Sequence, residues 1–208
     1  MQRRELSKLA LGAVLTACAL MPAVTQAQTA APLFPAKMPL RIVVGYPPGG
    51  ATDRVARLAV DKLQAKLGSP VIVENKPGAG GRLSAQYVKN APAAQPAILL
   101  ANPAVMVVAP LVFPDSGYEP EKDFRPISEV NRYEFGLAVA SAVPVKELPH
   151  LLAWLKANPQ QANFGVPATG SLPHFFSLML GEAAKVPVEV VGCKGSGPLL
   201  TDLMGGQI

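Results

Sequence analysis

Few side chains in this chain are able to do chemistry. Its 208 residues hold 2 histidines, His150 and His174, and 2 cysteines, Cys18 and Cys193. No HExxH or CxxC spacing occurs, and two histidines are too few for most metal sites, so no metal is expected. Ser171 and Ser196 lack the flanking glycines of a nucleophile elbow. Cys193 and His174 have the types of a nucleophile and its base. A small buried thiol and a histidine at a helix start explain the same two residues more simply. Pro47-Pro48-Gly49-Gly50 has no Lys-Ser/Thr after it, and Gly78-Ala79-Gly80-Gly81 lacks GxGxxG spacing. No cofactor is expected.

What recurs is a glycine-rich turn between a strand and a helix start. Gly49-Gly50-Ala51-Thr52-Asp53, Ala168-Thr169-Gly170-Ser171 and Gly195-Ser196-Gly197 all have this form. Such turns let backbone N–H groups point outward, and each helix start adds partial positive charge, a geometry that suits a carboxylate. The hydroxyls of Thr52 and Ser171 either donate to that anion or cap their own helices. Asp53 either complements the dipole of a first helical turn or meets an amine or hydroxyl of a ligand.

The elements that must hold these turns follow from apolar patterning. Leu40 to Tyr46 is an apolar run broken only by Arg41, a buried strand. Thr52 to Leu67 places Val55, Leu58, Ala59, Leu63 and Leu67 at helical spacing, with Gly68 as the stop. Pro70 to Val73 reads as a strand, Leu83 to Val88 as a helix and Ala97 to Leu100 as a third strand. That βαβαβ order predicts a parallel sheet covered by helices. Val112 to Pro126 turns rich in Pro, Asp, Glu and Lys, a surface excursion, and Phe135 to Ala140 opens a second lobe. There a helix is expected over Leu148 to Ala157 and a strand near Asn163 to Val166. A helix from Ser171 to Lys185, a strand at Val188 to Val191 and a helix from Pro198 to Met204 complete it.

Composition limits the function classes. Half of the residues are apolar and 16% are charged, which excludes a disordered chain. The 22 prolines break the chain into short elements, against a coiled coil. Residues 1–27 read as a cleaved export signal: Arg3, Arg4 and Lys8, an apolar run Leu9 to Ala23, then small residues up to Ala27. That run is shorter than the roughly 20 residues a membrane span needs. The paired arginines also fit a twin-arginine signal, and Leu15-Thr16-Ala17-Cys18 a lipoprotein box anchoring the chain at Cys18. Without residues 1–27 the chain is only mildly basic and has no clustered Lys/Arg stripe, so no nucleic acid partner is expected. Cys193 is then alone, and no internal disulfide is expected.

Several motifs together resemble one family. Tyr46-Pro47-Pro48-Gly49-Gly50-Ala51-Thr52-Asp53-Arg54-Val55-Ala56-Arg57 is similar to the first strand–helix turn of the Bug-type periplasmic solute receptors of tripartite tricarboxylate transporters. Val73-Glu74-Asn75-Lys76-Pro77-Gly78-Ala79-Gly80-Gly81 resembles their second signature. Lys122-Asp123-Phe124-Arg125-Pro126-Ile127, Gly170-Ser171-Leu172-Pro173-His174, and Lys194-Gly195 with Asp202-Leu203-Met204-Gly205-Gly206-Gln207 follow in the same order. Two departures stand out. Gly192-Cys193 replaces the family's Pro-Tyr, and Ala93-Ala94-Gln95-Pro96 replaces its Asp-Gly-Tyr turn.

The resemblance implies an α/β, two-lobed, periplasmic-binding-protein-like (type II) fold with βα units in each lobe. Lobe 1 would span 28–130 and lobe 2 131–208. Family chains continue past Gln207-Ile208, so the fold is expected to be incomplete at the C-terminus. The implied function is non-enzymatic: a periplasmic, monomeric receptor that delivers a small carboxylate to membrane transporter subunits. The carboxylate would be a dicarboxylate, tricarboxylate, acidic amino acid or aromatic acid. The implied contacts are Pro48, Gly49, Gly50, Thr52 and Asp53 on lobe 1, and Ala168, Thr169, Gly170 and Ser171, with His174, on lobe 2. A small exported hydrolase or transferase using Cys193 or Ser171 is the alternative.

Overall fold

The computed structural model describes residues 38–208. The export signal, with Arg3, Arg4, Lys8, Cys18 and the cleavage point after Ala27, lies outside the described residues.

The first part alternates strand and helix. β1 (Leu40–Val44), α1 (Ala51–Leu67), β2 (Val71–Asn75), α2 (Arg82–Lys89) and β3 (Ala97–Leu100) follow in chain order. The strands form one parallel sheet in the order β2-β1-β3, with Ile42 opposite Val73 and Ile98. A parallel sheet is covered on both faces, which is why its central strand reads as a nearly unbroken apolar run. On one face Leu40, Ile42 and Val44 pack against Ala56, Val60, Leu63 and Leu67 of α1. On the other, Ala85 of α2 joins Val105 and Tyr118 beside Leu99. α1 ends where Gly68 takes the left-handed conformation (φ 65°) and returns its N–H to the Gln64 carbonyl.

The chain then leaves the sheet through a wide π-helical turn, Ala104–Val108, that runs into α3 (Ala109–Val112). The stretch expected as a surface excursion contains α4 (Pro120–Asp123), but it is not all surface. Ser116 and Tyr118 are buried, and Tyr118 meets Phe124 edge-on at 5.9 Å. From Phe124 to Ala140 there is neither helix nor strand. The apolar run Phe135 to Ala140 therefore joins no sheet among the described residues. Ile127, Tyr133, Phe135 and Leu137 stay exposed, and Tyr133, Phe135 and Phe176 touch edge-on.

A second α/β part follows: α5 (Leu148–Ala157), β4 (Asn163–Val166), α6 (Leu172–Ala184), β5 (Glu189–Gly192) and α7 (Ser196–Met204). β4 and β5 pair in parallel, with Phe164 opposite Val190. Leu151 and Leu155 of α5 close this core with Ala162, Ala184 and Val186. No helix among the described residues is long and apolar enough to cross a membrane.

Candidate ligand-binding site

The carboxyl ends of β1, β2, β4 and β5 all lead into turns that face a common cavity of about 490 Å³. Its wall is Gly45, Tyr46 and Pro47 after β1, Pro77 to Arg82 after β2, Phe113, Pro167 to Thr169 after β4, and Gly192 to Gly195 at the end of β5. Open α/β sheets place ligands at this end, because strand ends and helix starts bring exposed backbone groups together there. A second depression of about 420 Å³ lies around Arg41, Gln86, Tyr87 and Asn90. Arg41 is committed there to Glu74, the Tyr87 hydroxyl and the Gln95 carbonyl.

The turn after β2 carries unusual backbone. Gly78, Ala79, Gly80 and Gly81 all have positive φ (145°, 47°, 66° and 97°). Ala79 pays for that conformation with its Cβ, a strain typical of functional turns. Two side chains pin the turn, one of them itself held by Asn102. The Tyr46 hydroxyl donates to the Gly80 carbonyl (3.1 Å) and accepts from Asn102 Nδ2 (2.9 Å), and Ser84 Oγ donates to the Gly81 carbonyl (2.6 Å). Burial pushes the Tyr46 hydroxyl above its ordinary pKa, so it stays a donor at neutral pH.

Of the ten positions expected to contact a ligand, Ala168 and Thr169 wall the cavity. Pro48, Gly49, Gly50, Thr52, Asp53, Gly170, Ser171 and His174 stand outside that wall. Two backbone N–H groups expected to point outward are instead engaged. Gly49 donates to Asp53 Oδ2 (2.8 Å) and Gly170 to His174 Nδ1 (3.1 Å). The first and third glycine turns meet directly, since the Ala51 N–H donates to Ser196 Oγ (2.9 Å).

Asp53 points inward. It is 2% exposed and also accepts from Arg57 Nε (2.9 Å), Arg57 Nη2 (3.0 Å) and Asn75 Nδ2 (2.9 Å). The Arg57 guanidinium, with the Gly49 and Asn75 donors, holds its carboxyl pKa down at about 2 against an upward push from burial. Asn75 Nδ2 donates to the Tyr46 carbonyl as well, so this buried acid ties the ends of β1 and β2 to the start of α1.

Ser171 is the opposite case. It occupies the N-cap position of α6, but its hydroxyl makes no capping bond. It is 3% exposed, and Oγ has no hydrogen-bond partner among the described residues. A buried orphan hydroxyl costs about 1–3 kcal/mol unless something meets it. Among the described residues neither candidate nucleophile is hydrogen-bonded to a histidine. Ser171 Oγ is unpartnered, while the Cys193 thiol lies 3.7 Å from Asp202 Oδ2, and burial with that carboxylate pushes its pKa up, which suppresses thiolate. No group of three or more His, Cys, Asp or Glu suited to a metal exists among the described residues.

Sequence reasoning left out Tyr46, Gly78 to Arg82, Phe113, Cys193 and Lys194 as lining residues, and it included Gly195 only as part of a recurring turn. The four-residue run Gly78-Ala79-Gly80-Gly81 was a usable signal, because so much glycine after a strand means close backbone approach. Phe113 offered none.

Known proteins match this arrangement. Residues 55–208 match the model of the "Tripartite tricarboxylate transporter family receptor". Protein BugT of Bordetella pertussis is 32% identical over 183 residues, 88% of this chain and 56% of that protein. The structure of the periplasmic binding protein BugD superposes with a TM-score of 0.70 at 31% identity, over 84% of this chain and 58% of that one. MatC of Rhodopseudomonas palustris, solved with bound malate, gives 0.72 at 28% identity, over 84% and 59%. The chain thus spans a little under three-fifths of these proteins' length. The likeness establishes a two-lobed α/β fold of the periplasmic-binding-protein kind.

Proposed function

This chain belongs to the family of tripartite tricarboxylate transporter receptors, and on that premise we propose that it is an extracytoplasmic solute receptor. It holds a small carboxylate between its two lobes, 28–130 and 131–208, without chemical turnover, and presents it to a membrane transporter in the periplasm. The observation that carries this reading is the cavity at the carboxyl ends of both sheets, walled by glycine turns. The MatC structure with malate and the periplasmic BugD support the same class of ligand and the same compartment.

In this reading Pro48, Gly49, Gly50 and Thr52 form one rim, and Ala168 to Ser171 with His174 form the other. Asp53 sets the Gly49 turn from behind. Ser171 Oγ is the group left over for the ligand. Closure of the lobes on an anion would let it donate to a carboxylate oxygen. Ser171→Ala then melts no lower than the parent, because no capping bond is lost and a buried hydroxyl without a partner is removed. Its carboxylate affinity falls roughly ten- to a hundredfold, the value of one hydrogen bond to a charged group. Calorimetric titration beside a melting curve checks both. Lower melting with unchanged affinity would leave Ser171 a purely structural residue.

The whole reading is tested by ligand charge. A charge-assisted hydrogen bond distinguishes an acid from its neutral amide, so the amide should bind at least about tenfold more weakly. Screening a carboxylate panel by thermal shift, then titrating the best acid and its amide, measures this. Equal affinities would remove the anion site.

A further inference from the structure

The cavity wall carries two cationic side chains, Arg82 and Lys194, and no carboxylate. Asp53 is committed to Arg57, Asn75 and Gly49, and Asp202, beside the Cys193 thiol, is not part of the wall. Arg82 opens α2 directly after the strained glycine turn. Its guanidinium carbon lies 3.6 Å from the centroid of the Phe113 ring. Phe113 in turn packs on the other side of the cavity, where a Cβ on Gly170 would come within 2.9 Å of its ring. Arg82, Phe113 and the Gly170 turn therefore form a stack that bridges the walls contributed by the two sheets.

Among the described residues the Arg82 guanidinium has no hydrogen bond and no acidic partner. A long cationic side chain usually swings in solvent, but stacking on an aromatic face holds it in one plane with its N–H fork unspent. A pre-organised, unpaired guanidinium facing an acid-free cavity suits a carboxylate and repels an ammonium group.

We infer that Arg82, held by Phe113, is a specificity-determining residue that reads a second anionic group of the ligand. The preferred ligands are diacids without an amino group, and acidic amino acids bind more weakly because no carboxylate in the wall offsets the repulsion of their ammonium by Arg82 and Lys194. This rests on the carboxylate-receptor reading and narrows it.

The test titrates the full chain with diacids from succinate to adipate, with monoacids of equal length, and with aspartate. The parent should prefer the best diacid to its monoacid, and succinate to aspartate, by about ten- to a hundredfold. Arg82→Gln should bring the diacid down to the monoacid's affinity while the monoacid moves by less than about threefold. Arg82→Lys keeps the charge but loses the fork and the stack, so it should recover only part of the preference. Phe113→Leu should lower the preference at least about threefold with Arg82 intact, and it decides the matter if Arg82→Gln does not fold. Equal losses for mono- and diacids in Arg82→Gln, an unchanged ratio, or aspartate bound as tightly as succinate would overturn the assignment. In those outcomes the receptor reading survives. A parent chain that binds no carboxylate at all overturns both.

Discussion

Asp53→Ala should lower the melting temperature by roughly 5–15 °C, the shift that corresponds to about 2–4 kcal/mol in a domain of this size. The substitution removes an acceptor that serves Gly49, Arg57 and Asn75 together, in a position only 2% exposed. Arg57 is half exposed and regains water. The Gly49 N–H and Asn75 Nδ2 are the groups left short of a partner, at about 1–3 kcal/mol each. Because Asn75 also holds the Tyr46 carbonyl, the damage should reach the cavity, and carboxylate affinity should fall with stability.

The same carboxylate predicts an acid limb. Its pKa is about 2 in the folded chain against an ordinary 3.8. A depressed folded pKa stabilises the protein above the unfolded value, so the contribution is complete above about pH 5. It is lost as pH falls through about 4 toward 2, and amounts to about 2 kcal/mol. Denaturant melts at pH 6 and pH 2.5 should show this loss in the parent and a smaller one in Asp53→Asn. Equal acid limbs in both chains would mean that Asp53 is not the ionised anchor of the turn.

Gly45→Ala is the second large effect. A Cβ at Gly45 would lie 2.6 Å from Ser84 Oγ, 2.8 Å from Gly81 Cα and 3.0 Å from the Gly81 carbonyl oxygen. Two of those neighbours are backbone, and Gly81 sits at φ 97°, where a side chain is strained and little adjustment is available. The added methyl must therefore push the end of β1 away from the turn after β2. Overpacking of this kind costs about 1–3 kcal/mol, or roughly 3–12 °C in melting. Both strand ends wall the cavity, so affinity for the best carboxylate should fall by at least about tenfold. Calorimetry and titration on the same preparation check it. Parent-like melting and affinity would show that the β1–β2 contact at Gly45 is loose.

Elements governed by neighbours in the chain were legible from residue order. Ala97–Leu100, Leu148–Ala157 and Asn163–Val166 form as their apolar runs and flanking prolines require, because those signals act over one or two turns of chain. The βαβ succession also carried the parallel pairing, since parallel neighbours need a helical crossover. The apolar run Phe135 to Ala140 has the composition of a buried segment but stays outside any sheet, because a strand exists only where a partner strand supplies its hydrogen bonds.

The site was legible as a kind of turn, not as a set of contacts. Residue types gave Asp53 and Ser171 two roles each, and only the folded chain shows which neighbours each side chain meets. Arg57, one helical turn on, and Asn75, at the end of another strand, draw Asp53 inward. The backbone at the start of α6 leaves the Ser171 hydroxyl buried and without a partner. Arg82 and Phe113 are thirty-one positions apart, in stretches whose local patterns say turn and surface, and they meet only because the turn after β2 and the helical segment after β3 reach one cavity. Local propensity is a property of the chain. Which loops share a cavity, and which charges within it are left unpaired, depends on distances that only the packed sheets define.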